Sequence, residues 1–274
     1  DTDLPWKDAR LEIRRLLGLG GESSKVAVKL TCLYREKNDI GDGHEYPMYL
    51  YMGGEYAWAI KAYEEFTQKL LADPASGDHV HAFICMTSCY SYFDEFQKAV
   101  ETLNTAMTRL PEPPWRIARQ ADIHDGFGDV LAKMELTDKA KQHYAEAARL
   151  YPQSNQPYGQ HLLKRRAGKV QSKLDLLDYR SLLADTLKDG TYNARALGYS
   201  GDKDLMITLT VWAGEITDIK IDHAEKIDQG ATTIIPQRII AKQSLEVDAI
   251  TGATVTCDGI RDGVFRALKQ AGLE

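Results

Sequence analysis

The hydrophobic period of this 274-residue chain changes near Lys188-Asp189-Gly190. Before that point apolar residues recur at helical spacing; after it they alternate and then return to helical spacing. Helices bury a stripe that repeats every 3.6 residues and strands bury every second residue. A chain that separates the two patterns in this way is expected to fold as a two-domain α+β protein. Its N-terminal part is all-α, and its smaller C-terminal part is α+β with an antiparallel sheet. The length suffices for two modest domains, and 43% hydrophobic residues supply their cores.

The helical part repeats. Residues 121–154 place Phe127 and Gly128, then Ala140, Tyr144 and Ala147, and close on Pro152. Residues 80–113 do the same with Phe83, Tyr90, Ala99, Leu103, Ala106 and Pro111; an insert, residues 112–118, separates the two. A looser third copy occupies residues 25–74. Its first helix is expected over Lys25 to Lys37, across a long Gly-containing loop from a second helix with Tyr56, Ala59, Ile60 and Tyr63, closed by Asp73-Pro74. These offsets resemble the tetratricopeptide pattern of about 34 residues. Each repeat is a helix pair that buries its apolar face only by stacking on a neighbour. Small residues let the helices approach and aromatics fill the spaces between them. The concave surface of such a stack serves either to dock a protein or as a spacer and packing platform. Residues 155–187 are expected to cap the stack, with Leu174, Leu177 and Leu182 on their apolar face.

Composition and motifs narrow the chemistry. The net charge of -6 provides no basic stripe for nucleic acid. Lys164-Arg165-Arg166 reads as the solvated face of a helix. No apolar run approaches the roughly 20 residues of a membrane span. The chain opens on Asp1-Thr2-Asp3-Leu4-Pro5 without an initiator Met, compatible with a trimmed product that has lost a leader or anchor. Cys85 and Cys89 follow His79 and His81, but no second ligand pair at zinc spacing comes after them, and Cys-x-x-Cys-His is absent. Both cysteines read as small buried residues of a helix.

The C-terminal part carries the chemistry. A strand is expected from Asp189 to about Tyr199. A second has Leu205, Ile207, Leu209 and Val211 on one face, and a turn at Ala213-Gly214 returns the chain through Ile216, Ile219 and Ile221. A helix follows with Ile234, Ile235, Ile239 and Ile240, broken or started near Pro236. After a short extended piece, Val247 to Ile250, comes Thr251-Gly252-Ala253-Thr254. Ile260, Val264 and Leu268 then mark a last amphipathic helix ending near Gly272. The small-residue run lies at a helix N-terminus, where open amides and the helix dipole favour an anion. Read alone, it is either a phosphate cradle or an ordinary Thr-rich helix start.

Several segments together resemble a known family. Asp189-Gly190-Thr191-Tyr192, Trp212 through Ile219, Ile235-Pro236 with Ile239-Ile240 and Gln243-Ser244, Asp248-Ala249-Ile250-Thr251-Gly252-Ala253-Thr254, and Gly259 through Leu268 follow in order. This arrangement is similar to the FMN-binding domain shared by flavin-carrying subunits of the sodium-translocating NADH:quinone reductase and of the Rnf complex, and by accessory domains of some periplasmic or cell-surface reductases. The resemblance covers the last third of the chain. It divides the sequence into a helical tetratricopeptide-like domain, residues 1–187, and an FMN-binding domain, residues 188–274.

The resemblance implies FMN joined to Thr254 through a phosphoester, made by a Mg-dependent flavin transferase with FAD as donor. Asp248 belongs to the sequence that the transferase recognises. Gly252 and Ala253 lie against the phosphate or ring, Thr251 and Thr256 flank it, and Val255, Tyr192 and Glu225 complete the implied cofactor contacts. Two positions depart from the family. Cys257 stands where Ser is usual, and residues 223–230, His223 to Gly230, replace a loop that often reads Glu-Thr-Pro-Gly. With no nucleophile–base pair and no Rossmann fingerprint, the chain reads as an extracytoplasmic electron-transfer flavoprotein rather than a complete enzyme. Its repeats would dock a redox partner or a membrane oxidoreductase complex. A flavin-dependent reductase of a small molecule, or an adaptor whose flavin domain has lost its cofactor, are the alternatives.

Overall fold

The computed structural model describes residues 3–41, 43–73, 79–157, 159–177, 187–200, 203–225, 228–250 and 253–273. The chain divides into two compact units, Asp1–Gln160 and His161–Glu274. Pro74 and Leu182, assigned above to a repeat end and a capping face, lie outside the described residues.

The first unit is helical: α1 (Trp6–Leu19), α2 (Gly21–Glu36), α3 (Glu45–Met52), α4 (Tyr56–Ala72), α5 (Val80–Tyr92), α6 (Phe96–Thr108), α7 (Arg116–Lys133) and α8 (Thr137–Leu150). One turn recurs in it. Gly54, Asp94 and Glu135 take positive φ of 82°, 58° and 60°. The next amide, of Glu55, Glu95 or Leu136, donates back to Leu50, Tyr90 or Leu131 at 2.9, 3.0 and 2.9 Å. This left-handed ending satisfies the last carbonyls of one helix and aims the chain into the next. Four residues after each of those amides come Ala59, Ala99 and Ala140, all fully buried, and four further on come Tyr63, Leu103 and Tyr144, also buried. Gly128 shows why the pattern needs a small residue. A Cβ there would overlap the Tyr144 ring.

The third helix pair differs from the expectation. The partner of α4 is the short helix α3, joined through Gly53-Gly54-Glu55, and α2 comes before it. Residues 45–52 combine Pro47 with four aromatic or aliphatic side chains in one short run, which hides a helical period. Tyr49 and Leu50 are buried all the same. Trp6, Ile13, Leu17 and Tyr34 pack with Tyr49 in a core at the start of the chain, and the Trp6 indole donates to Glu45 at 2.6 Å. Among the described residues, no group of three or more His, Cys, Asp or Glu side chains could hold a metal ion. Cys85 and Cys89 are buried and free, as read from the sequence.

The second unit opens with α9 (Gln160–Leu177). Strands β1 (Gly190–Ala196), β2 (Leu205–Trp212) and β3 (Glu215–Asp222) form an antiparallel sheet in that order. The alternation in β2 decides its faces: Leu205, Ile207, Leu209 and Val211 are buried, and Trp212 is exposed. Ala213 and Gly214 both take positive φ, 53° and 77°, the geometry that matches a two-residue hairpin to strand twist. Helix α10 (Ala231–Lys242) starts five residues before Pro236 and contains it. The Asp228 carboxylate sets that start by accepting the amides of Gly230 at 3.0 Å and Thr232 at 3.3 Å. Helix α11 (Thr254–Gln270) lies against the sheet because Gly259 and Gly263 allow it. A Cβ on Gly259 would run into the Leu197 carbonyl, and one on Gly263 would run into Ile207. No helix among the described residues is long and apolar enough to cross a membrane.

Two stability tests follow from the first unit. Gly128→Leu should destabilise it by about 2 kcal/mol or more through overpacking against Tyr144, read as a lower denaturation midpoint. His124 and His143 face each other, Nδ1 to Nδ1, at 3.0 Å. Burial holds both below the usual histidine pKa, and for His143 the neighbouring His124 adds to the depression. The unfolded chain therefore takes up protons first as pH falls. Stability from this pair is complete above a pH of about 6.5 and is lost as pH drops from there through the lower folded values. Thermal unfolding followed from pH ~7.5 to ~5.5 should show the loss, and His143→Gln should flatten it.

Candidate functional site

The first turn of α11 is the centre of the site. Ala253 precedes it, 4% exposed, with φ -128°. Its amide donates to the Ile250 carbonyl at 3.0 Å, and its carbonyl accepts the Cys257 amide at 2.9 Å. Among the described residues no side chain caps this helix, and its first turn holds no acidic residue. Thr254 is its first residue. The Thr254 side chain and the whole of Thr251 and Gly252 lie outside the described residues.

Thr256 turns inward. It is fully buried, and its hydroxyl donates to Glu225 Oε2 at 2.7 Å. The same carboxylate accepts the backbone amides of Tyr199 at 3.1 Å and Ser200 at 2.9 Å. Glu225 thus ties the start of α11 to the segment after β1. Gly198 makes room for it, since a Cβ there would overlap Glu225. His223 Nδ1 accepts the Glu225 amide at 3.2 Å, which fixes the backbone that presents the carboxylate. Lys226 and Ile227 of the same loop lie outside the described residues.

Other implied residues take different places. Asp248 is exposed, and its carbonyl accepts Arg238 Nη1 at 2.5 Å, which leaves its carboxylate at the surface. Val255 is 37% exposed in the first turn of α11. Tyr192 is not brought to the others. Its hydroxyl donates to the Lys188 carbonyl at 2.8 Å. The Lys188 amide in turn reaches the Ala271 carbonyl, and Gln270 reaches the Asn193 carbonyl. The antiparallel sheet places the start of β1 beside the C-terminal end of α11, a helix length from Thr254. Cys257 is fully buried and its thiol accepts the Ile250 amide at 3.2 Å; burial pushes its pKa up, so it is a packing residue.

This arrangement fits a phosphate. A helix start that is uncapped among the described residues, with no carboxylate in its first turn, favours an anion. Residues 198–269 match the family model of the FMN-binding domain. FMN is therefore the cofactor of this domain, and the matched span contains the whole hairpin, α10, Glu225 and the start of α11. Over 86 residues the chain is 38% identical to an NADH:acrylate oxidoreductase of Vibrio harveyi. That match covers 30% of this chain and 8% of the relative, so the chain spans only a small part of the relative's length. No solved structure matches the chain. Flavin binding in an electron-transfer role is what the domain and this distant relative support.

Sequence reasoning places Glu225 among the cofactor contacts and misses its structural duty. The amides of Tyr199 and Ser200 carry no side-chain signal, so their convergence on one carboxylate is invisible in the sequence. Glu225→Ala removes three hydrogen-bond acceptor contacts at once and should destabilise the flavin domain by about 2 kcal/mol or more. Glu225→Gln, which keeps one acceptor oxygen, should lose less. Denaturation of the flavin-free proteins separates the two.

Proposed function

We propose that the chain is an extracytoplasmic electron-transfer flavoprotein with FMN joined covalently to Thr254, and that its helical repeats dock a redox partner or a larger oxidoreductase assembly. The observation that carries the reading is the position of Thr254 as the first residue of an uncapped helix, inside the run Asp248 to Thr256. The start of a helix favours an anion such as a phosphate. In the attachment step the Thr254 hydroxyl loses its proton and forms an O–P bond to the FMN phosphorus of FAD. The pyrophosphate bond breaks and AMP leaves. The donor and the Mg-dependent transferase are those that the family resemblance implies.

Bound FMN supplies exchange between one- and two-electron carriers. The chain's own residues do the rest. Amides at the start of α11 hold the phosphate, Thr256 and Glu225 hold that turn rigid against the segment after β1, and Val255 offers apolar surface beside it. A tethered flavin stays with its carrier where free flavin is scarce, which favours a site outside the cytoplasm. The repeats supply what a relay needs, a surface for a partner. The recurring turn at Gly54, Asp94 and Glu135 stacks helix pairs in the manner of protein-docking repeats.

The test is intact-mass and peptide analysis of protein exported alongside an active flavin transferase. Wild type should gain the mass of FMN less one water on the peptide containing Thr254, and Thr254→Ala should gain nothing. An unmodified Thr254 in that wild-type protein would overturn covalent attachment.

A further inference from the structure

The last helix pair of the first unit carries two histidines that its repeat pattern does not use. His124 of α7 and His143 of α8 bring their Nδ1 atoms to 3.0 Å, with ring centroids 5.1 Å apart and planes inclined by 37°. The Phe127 ring packs on His143 at 4.7 Å between centroids. Two Tyr–Asp hydrogen bonds hold the helices together beside the pair. Tyr144, the neighbour of His143, donates to Asp129 at 2.7 Å, and Tyr151, just after α8, donates to Asp122 at 2.8 Å. Gly128 admits the Tyr144 ring between the two helices. Packing on either side thus sets the spacing of the imidazoles, and neither ring makes a hydrogen bond to any other described residue.

Two neutral imidazoles that meet through the same nitrogen share one proton: one ring donates and the other accepts. A divalent ion can take both lone pairs instead. The ring that held its proton on Nδ1 then carries it on Nε2, so the neutral pair loses no proton and gains two metal–nitrogen bonds. The spacing selects the ion. With metal–nitrogen bonds of ~2.0–2.1 Å, two donors lie about 2.9 Å apart at a right angle and about 3.4 Å apart at the tetrahedral angle. The observed 3.0 Å matches the right angle, the geometry of neighbouring positions in square-planar or tetragonal copper(II). Copper(II) is also the ion that imidazole sites hold most tightly in the first-row divalent series. Glu146, three residues after His143, is taken up by Arg149 at 2.7 and 2.5 Å. The two imidazoles are therefore the protein's donors, and water completes the coordination.

We propose that His124 and His143 form a two-nitrogen copper(II) site on the helical unit. The proposal is independent of the flavin and of its attachment.

The experiment titrates copper(II) in a non-coordinating buffer into the full chain, as wild type, His124→Gln, His143→Gln, the double variant and His79→Gln. Calorimetry gives stoichiometry and affinity, and electron paramagnetic resonance counts the nitrogens bound to copper. Wild type should bind one ion with two imidazole nitrogens. At a copper concentration ~100 times the Kd the Tm of the helical unit should rise by roughly 5–10 °C. His124→Gln and His143→Gln should each weaken binding at least about tenfold and lose the two-imidazole signal, with helical content by circular dichroism unchanged. His79→Gln should bind as wild type does. Equal binding by wild type and the double variant overturns the site. So does a two-imidazole signal that survives in either single variant, or binding that is lost in His79→Gln instead.

Discussion

The Glu225 carboxylate gathers the flavin domain at one point. It takes the amides of Tyr199 and Ser200 and the hydroxyl of Thr256, three donors from two segments that are distant in sequence. A half-buried carboxylate so supplied has its charge met by directed donors, the condition under which a buried ion is tolerated. The first turn of α11, which begins at Thr254, is consequently held through Thr256.

The rest of the domain brings that contact together. The hairpin at Ala213-Gly214 sets the register that buries Leu205, Ile207 and Leu209, and the glycines of α11 let the helix lie close on that layer. Close approach fixes the depth at which the start of α11 emerges beside the segment after β1. Replacing Gly259 or Gly263 with a larger residue would lift the helix and separate Thr256 from Glu225. The helical unit relies on the same device in another form: Gly128 and the alanines at 59, 99 and 140 admit the aromatic and aliphatic side chains that join its helix pairs.

Much of this is legible in the sequence, and the reasons differ by element. The β2 strand and its hairpin are readable because strict alternation over eight residues and an Ala-Gly turn have few other solutions. The repeat positions are readable because alanine and aromatic offsets record a packing distance. The start of α10 is left open by the sequence, where Pro236 either breaks or starts the helix, because the Asp228 carboxylate that sets the start acts through backbone amides. Helix α3 escapes notice because its apolar residues run together without a period. Motif order groups Tyr192 with the flavin residues, and the direction of β1 puts it at the other end of α11.

The sequence by itself determined the two fold classes, the hairpin and the small-residue run before the last helix. These follow from local periodicity and from residue types whose chemistry does not depend on distant neighbours. Tertiary structure decided which residues support that run. Glu225 became a bracket for α11, Cys257 a packing residue, and Arg165, which holds the Ser200 carbonyl and Asp204, a fastening for α9. Each of those outcomes depends on which donors and carbonyls meet in space, and backbone groups, identical in every residue, leave no trace of that in the order of side chains.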